Sequence, residues 1–192
     1  MTNASSRVTV HMAASLDGFI ARKDGSVDWM ETSDEFADGH TMEPEFVEAF
    51  LNTIDCYVMG SRSYEMALNF EARGLGWVYG NKPTFVLTSR KLPEVRDTVE
   101  FYSGDLVQFV NTHLRSRFNN IWFAGGNVLC SECLRLGLAD EICYSILPIL
   151  IGDGIPFFSN LDKDIALHLM EAKAYKSGMV ELRYKVSGNT GK

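Results

Sequence analysis

Hydrophobic patterning begins at Val8. Val8-Thr9-Val10-His11-Met12-Ala13-Ala14 is β-branched and apolar and predicts a first strand. It enters a turn-rich loop, Ser15-Leu16-Asp17-Gly18, then Phe19-Ile20-Ala21 and a second turn signal at residues 22–26. Residues 32–42 are polar and aperiodic and read as a long loop. Pro44 suits the first turn of a helix, and Phe46, Val47, Phe50 and Leu51 then recur at helical spacing. Residues 56–60 form a short apolar strand ending at glycine. Residues 62–69 read as a helix with Tyr64, Ala67 and Leu68 inward. Residues 84–87 are a strand, 99–102 a weaker one, and Leu106, Val107, Val110 and Leu114 make a helical stripe. Residues 120–124 predict another strand, 128–136 a helix closed by Gly137, and 140–147 a further strand. Two last strands, 165–175 and 179–186, flank the turn Lys176-Ser177-Gly178.

Strands alternate with helices through the middle, which predicts an α/β domain on a largely parallel sheet with an antiparallel end. No composition break or repeat divides it. One domain is expected over 8–186, with a disordered lead at 1–7 and a tail at 187–192.

Composition narrows the picture. The formal charge of −7 lacks the basic footprint of a nucleic-acid binder. The most apolar stretch, 142–158, is broken by Pro148, Gly152, Asp153, Gly154 and Pro156, too often for a membrane span. Residues 1–7 have no apolar signal core, and the four cysteines are too few for a disulfide scaffold. The expectation is a cytoplasmic protein with reduced thiols. Cys130 and Cys133 have C-x-x-C spacing but sit inside a predicted helix without a second pair, so they read as structural. His11, His40, His113 and His168 show no metal-ligand spacing.

Ligands of such sheets bind at the C-terminal ends of strands. Four strand ends carry ligand groups. Gly60-Ser61-Arg62-Ser63 offers a side-chain-free approach, helix N–H groups, hydroxyls and a cation for phosphate, or simply a serine cap. Thr88-Ser89-Arg90-Lys91 suits a further phosphate, such as the 2′-phosphate of NADP, or is a polar turn. Ala124-Gly125-Gly126-Asn127-Val128 lets backbone meet a pyrophosphate, or is a tight turn needing glycine. Gly152-Asp153-Gly154-Ile155-Pro156 is a ligand loop or a plain turn. The G-x-G-x-x-G fingerprint is absent.

These pieces stand in one order with others: residues 14–21 (Ala-Ser-Leu-Asp-Gly-Phe-Ile-Ala), 55–65, 82–90, 121–129, 138–142 and 148–158. Together they resemble the dihydrofolate reductase-like family, and more closely its riboflavin-biosynthesis reductase branch, the RibD C-terminal type, over residues 8 to about 186. The resemblance implies a three-layer αβα fold on a mixed, mostly parallel sheet of about eight strands, NADPH across the strand ends, and a homodimer. It implies that Ala13 and Ile20 touch the nicotinamide side. Gly60, Arg62, Ser63, Gly125, Gly126, Asn127 and Val128 would hold the pyrophosphate and its neighbours, and Thr88, Ser89 and Arg90 the adenosine 2′-phosphate. The family commonly has arginine directly after the Gly60 position; this chain has Ser61 there and arginine one place later.

The function so implied is hydride transfer from NADPH to a small heterocycle, of ribitylamino-pyrimidine or pterin-like kind, by a stand-alone reductase. The zinc deaminase motifs of a bifunctional riboflavin enzyme are absent. Trp29, Phe46, Trp77 and Tyr79 are candidate substrate walls or ordinary packing. Asp17 is expected to organise its loop, and Glu45 is either a pocket acid or a first-turn glutamate favoured by the helix dipole. No catalytic proton donor and no phosphate grip for a substrate stand out among Lys23, Arg73 and Lys82. Two alternatives stay open: a silent NADP(H)-binding dimeric module, and a true dihydrofolate reductase.

Overall fold

Side chains alternate along β1 (Arg7–Ser15), with Val8, Val10, Met12 and Ala14 facing one way and Thr9, His11 and Ala13 the other. The computed structural model describes residues 6–159 and 161–187. Most of the expected lead (1–5) and tail (188–192) lie outside the described residues. Arg7, read as part of the lead, instead opens β1: its N–H donates to Asn119 O at 2.8 Å, and its guanidinium pairs with Glu141 at 3.2 Å.

The other elements follow in order: β2 (Phe19–Ala21), a 3₁₀ turn (Asp28–Met30), α1 (Pro44–Asn52), β3 (Cys56–Gly60), α2 (Ser61–Ala72), β4 (Thr84–Leu87), β5 (Val99–Tyr102), α3 (Leu106–Gln108), β6 (Asn120–Phe123), α4 (Asn127–Arg135), β7 (Glu141–Leu147), β8 (Ile155–Pro156), β9 (Leu167–Ala174) and β10 (Val180–Val186). The eight-stranded sheet runs β5-β4-β3-β6-β1-β7-β10-β9. Its first six strands pair in parallel, and β10 is antiparallel to both β7 and β9. This is the mixed, mostly parallel α/β sheet that the pattern predicts.

The alternation builds two cores. Val8, Val10, Val58, Phe85, Ile121 and Phe123 meet Val110, Leu114, Cys130, Cys133 and Leu134 on one face. On the other, Tyr57, Met59, Val86, Val99 and Trp122 meet Tyr64, Phe50, Leu51 and Leu68 of α1 and α2. Cys130 and Cys133 are fully buried, and burial pushes the Cys130 thiol up to about 12.

Three local readings change. After α3 the chain continues as a π-helical segment, Phe109–Leu114, in which Arg115 N reaches back to Val110 O. The wider turn puts Phe109 inward, stacked on Tyr102 at 4.1 Å, and leaves Val107 exposed. Ile155–Pro156, read as loop, pairs with β2 as a separate small sheet. The long loop over 32–42 is held from outside: Phe36 N donates to Lys176 O and His40 N to Ala174 O, both at 2.8 Å. Its lack of periodicity follows from this, since backbone contacts to the β9–β10 hairpin hold it.

The β1–β7–β10 half of the second face is polar. His11 lies opposite Cys143, shares a 3.0 Å hydrogen bond with Ser145 Oγ and meets the Trp122 ring edge-on at 5.1 Å. Polar atoms of His11, Cys143 and Glu181 fall within 4.8 Å of one another, a grouping that spacing along the chain did not reveal. Arg183, on the same face, sets a cation beside them. Burial, helped by Arg183, lowers the His11 pKa from 6.5 to about 4. The unfolded chain therefore takes up a proton below pH 6.5 that the folded chain refuses until about 4, and stability falls across that window. His11→Phe should remove about 2 kcal/mol of the loss between pH 7 and pH 5. Urea unfolding at the two pH values measures it, and equal losses in both proteins would contradict it.

Candidate functional site

Strands β3, β6 and β1 lie side by side in parallel, with the loops after β3 and β6 on the same side of the sheet. Gly60 N donates to Gly125 O at 3.1 Å, which brings the start of α2 beside the start of α4. Both helices begin at a glycine cap, Gly60 and Gly126, with no side chain capping their first N–H groups. Such uncapped N–H groups, with the positive end of the helix dipole, attract anions. A Cβ on Gly60 would meet nothing closer than Gly126 N at 4.0 Å, so the space between the two helix starts is open. Gly125 has φ +117°, and a Cβ there would stand 3.0 Å from Ser63 Oγ, so conformation and space both require glycine.

A cavity of about 450 Å³ opens from this point. Ala13, Ile20, Arg62, Ser63, Gly125, Gly126 and Asn127 line it, and so does Tyr79. Gly60 does not line it but is hydrogen-bonded to Gly125, which does. Val128 is 70% exposed and does not line it. Thr88, Ser89 and Arg90 stand off the cavity, at the end of β4. Arg90 N donates to Thr88 Oγ1 at 3.0 Å, and its guanidinium grips Glu65 through two bonds of 2.6 and 2.9 Å and reaches Ser61 at 3.4 Å. Glu65 is on the cavity wall, so the Thr88–Arg90 group is one side chain away from it.

Three expected substrate walls are elsewhere. Trp29 is 3% exposed and packed inward, while its neighbours Val27 and Met30 line the cavity. Phe46 is 48% exposed under the Lys173 ammonium and does not line it. Trp77 packs beneath the Arg96 guanidinium, and Glu45 is an exposed first-turn residue; neither is on the wall. The sequence reading missed Met66 and Phe70. Their signal was present: they are apolar positions of α2 outside its Tyr64–Ala67–Leu68 core stripe, at i and i+4.

The loops that frame the cavity are tied by Asp17. Ser15 Oγ donates to its carboxylate at 2.5 Å, and the N–H groups of Gly152 and Ile151 donate at 2.7 and 3.2 Å. These bonds, Ser15 first, hold the carboxyl below the usual range. Asp17→Ala should free the 149–154 loop, lower Tm and speed proteolysis there. The native tie is present at neutral pH and weakens as acid protonates Asp17. Unchanged cleavage of that loop would contradict the assignment.

The donor set fits a nucleotide pyrophosphate: two uncapped helix starts, the Ser63 hydroxyl, the Arg62 guanidinium and a glycine-bounded gap. In open α/β sheets ligands bind in the cleft at the strand ends, which is where this cavity lies. Comparison with known proteins makes this specific. Residues 6–181 match the model of the RibD C-terminal domain, and the chain belongs to that family. It is 29% identical to "Uncharacterized protein YyaP" of Bacillus subtilis (strain 168), over 95% of this chain and 96% of that protein. A putative riboflavin biosynthesis protein from Shewanella sp. PV-4 has a similar structure, with TM-score 0.79 and 29% identity over 94% of this chain and 99% of its own. A Thermotoga maritima deaminase/reductase shares the fold, with TM-score 0.66 and 16% identity; the match covers 97% of this chain and 58% of that protein. Among the described residues no helix is long and apolar enough to cross a membrane.

Proposed function

We propose that this chain is an NADPH-dependent reductase. The observation that carries the reading is the meeting of two glycine-led, uncapped helix starts at one end of a mainly apolar cavity. When bound, NADPH supplies the hydride. The N–H groups at the starts of α2 and α4, with Ser63 and Arg62, hold its pyrophosphate. Ala13 and Ile20 pack beside the nicotinamide end, and Thr88, Ser89 and Arg90 take the 2′-phosphate. The apolar wall excludes water from the reacting faces.

Among the described residues, two carboxylates and one phenol line the cavity. The Asp24 carboxyl is held low by the Ser26 N–H, and that of Glu65 by Arg90. Burial pushes the Tyr79 phenol up to about 12. The two carboxylates are therefore ionised near neutral pH, and Tyr79 is the wall group that keeps its proton. The same observation favours a second reading, a nucleotide-binding module without turnover.

Loss of NADPH absorbance on addition of heterocyclic C=N or C=O substrates separates the two. Turnover that disappears in Ser63→Ala/Arg62→Ala supports the enzyme, and tight binding without turnover supports the module. A homodimer belongs to the same reading: edge strand β9 exposes Leu167, Leu169 and Met170. Light scattering is expected to give twice the monomer mass, and a monomer would contradict it.

A further inference from the structure

The α2 helix lies along the cavity, and its wall changes character from one end to the other. Arg62 and Ser63 stand at its start, while Met66, Ala67 and Phe70 follow along the same wall. From Ser63 to Phe70 this is a path of about 10 Å. Val27, Met30, Val78 and Tyr79 complete the apolar end. With the pyrophosphate held at the helix start, this end is left for substrate.

Arg62 is the one cation on the wall among the described residues, and it stands at the phosphate end. The other cations nearby do not line it and have partners of their own. Lys23 pairs with Asp153, and Arg22 with Asp28 at 2.7 Å. Arg96 pairs with Glu71 and lies over Trp77. Lys82 donates to the carbonyls of Asn52 and Ile54, and Arg73 caps the end of α2 by its backbone without reaching the wall. The wall instead carries two carboxylates, Asp24 and Glu65. A phosphate group placed at the apolar end would lose its hydration, find no counter-charge and feel both acids.

We infer that the substrate is an uncharged, flat, phosphate-free heterocycle. The proposal rests on the reductase reading and narrows it. It excludes any substrate that carries a phosphate, such as a ribosyl-phosphate pyrimidine. Flat rings would stack among Met30, Met66, Phe70 and Tyr79, with the Tyr79 hydroxyl and the Asn69 amide as polar handles.

The test uses three probes with one ring system: lumichrome, riboflavin and flavin mononucleotide. Each is titrated into protein saturated with NADP⁺, following quenching of probe fluorescence. Saturation is verified beforehand by displacement of NADPH. Lumichrome and riboflavin are expected to bind, with flavin mononucleotide at least about tenfold weaker than riboflavin. Phe70→Ala is expected to weaken lumichrome at least about fivefold with NADP⁺ still bound. Equal or tighter binding of flavin mononucleotide overturns the proposal. So does no binding of lumichrome, or lumichrome binding that ignores Phe70→Ala. If NADP⁺ itself fails to bind, the reductase reading falls and takes this proposal with it, whereas bound NADP⁺ with the wrong probe order sinks the substrate class alone.

Discussion

Gly60→Val is expected to abolish nucleotide binding, with a loss of at least about 100-fold, while the fold survives. Gly60 ends β3 with φ −85° and ψ 168°, an extended backbone that valine adopts readily. The added side chain points toward Gly126 N, into the gap between the starts of α2 and α4. It would occupy the volume a pyrophosphate needs and screen both sets of N–H groups. Gly60→Ala, with one methyl, should lose less. Isothermal titration with NADPH measures the loss, and the far-ultraviolet spectrum and melting curve report the fold. Wild-type affinity in a folded Gly60→Val protein would mean that the phosphates are not held there.

Glu65→Gln and Arg90→Ala are expected to move cofactor preference in opposite directions. Arg90, which reaches Ser61 from the end of β4, is the cation proposed for a 2′-phosphate at this corner. Arg90 is already committed to Glu65 by a bidentate ion pair. A 2′-phosphate must share the guanidinium with that carboxylate, and like charges oppose it. Glu65→Gln keeps a neutral hydrogen-bond partner and removes the repulsion, so NADPH should gain on NADH by about threefold or more. Arg90→Ala should weaken NADPH about tenfold and leave NADH nearly unchanged. Both residues are exposed enough that added salt should shrink each effect. Paired NADPH and NADH titrations give the ratio. A ratio that neither substitution moves would place the adenosine end elsewhere.

What could be read from the chain depended on whether a signal was local. The parallel strands were legible because short runs of β-branched and aromatic residues such as Thr84–Leu87 and Asn120–Phe123 end at turn residues, and both are observed as strands. Gly60 and Gly125-Gly126 were legible as strand ends next to helix starts. Their approach to one another was not, since it comes from the β3–β6 pairing of segments more than sixty residues apart. Aromatic residues misled for the same reason. Trp29 and Phe46 look alike in sequence, yet tertiary packing buries the first and leaves the second outside. Phe109 moved inward because one wide turn shifted the register of its helix. Met66 and Phe70 were the recoverable loss, as apolar residues left over once a helix has filled its core stripe. The Glu65–Arg90 pair, which joins α2 to the end of β4, had no signal in the sequence.

The central claim is that the strand-end cleft binds NADPH. Titration of the purified protein with NADPH and with NADH, following nicotinamide fluorescence, tests it most directly. Saturable binding of one nucleotide per chain, tighter for NADPH and lost in Gly60→Val, is the expected result. Absence of binding by either nucleotide to the folded protein would contradict it.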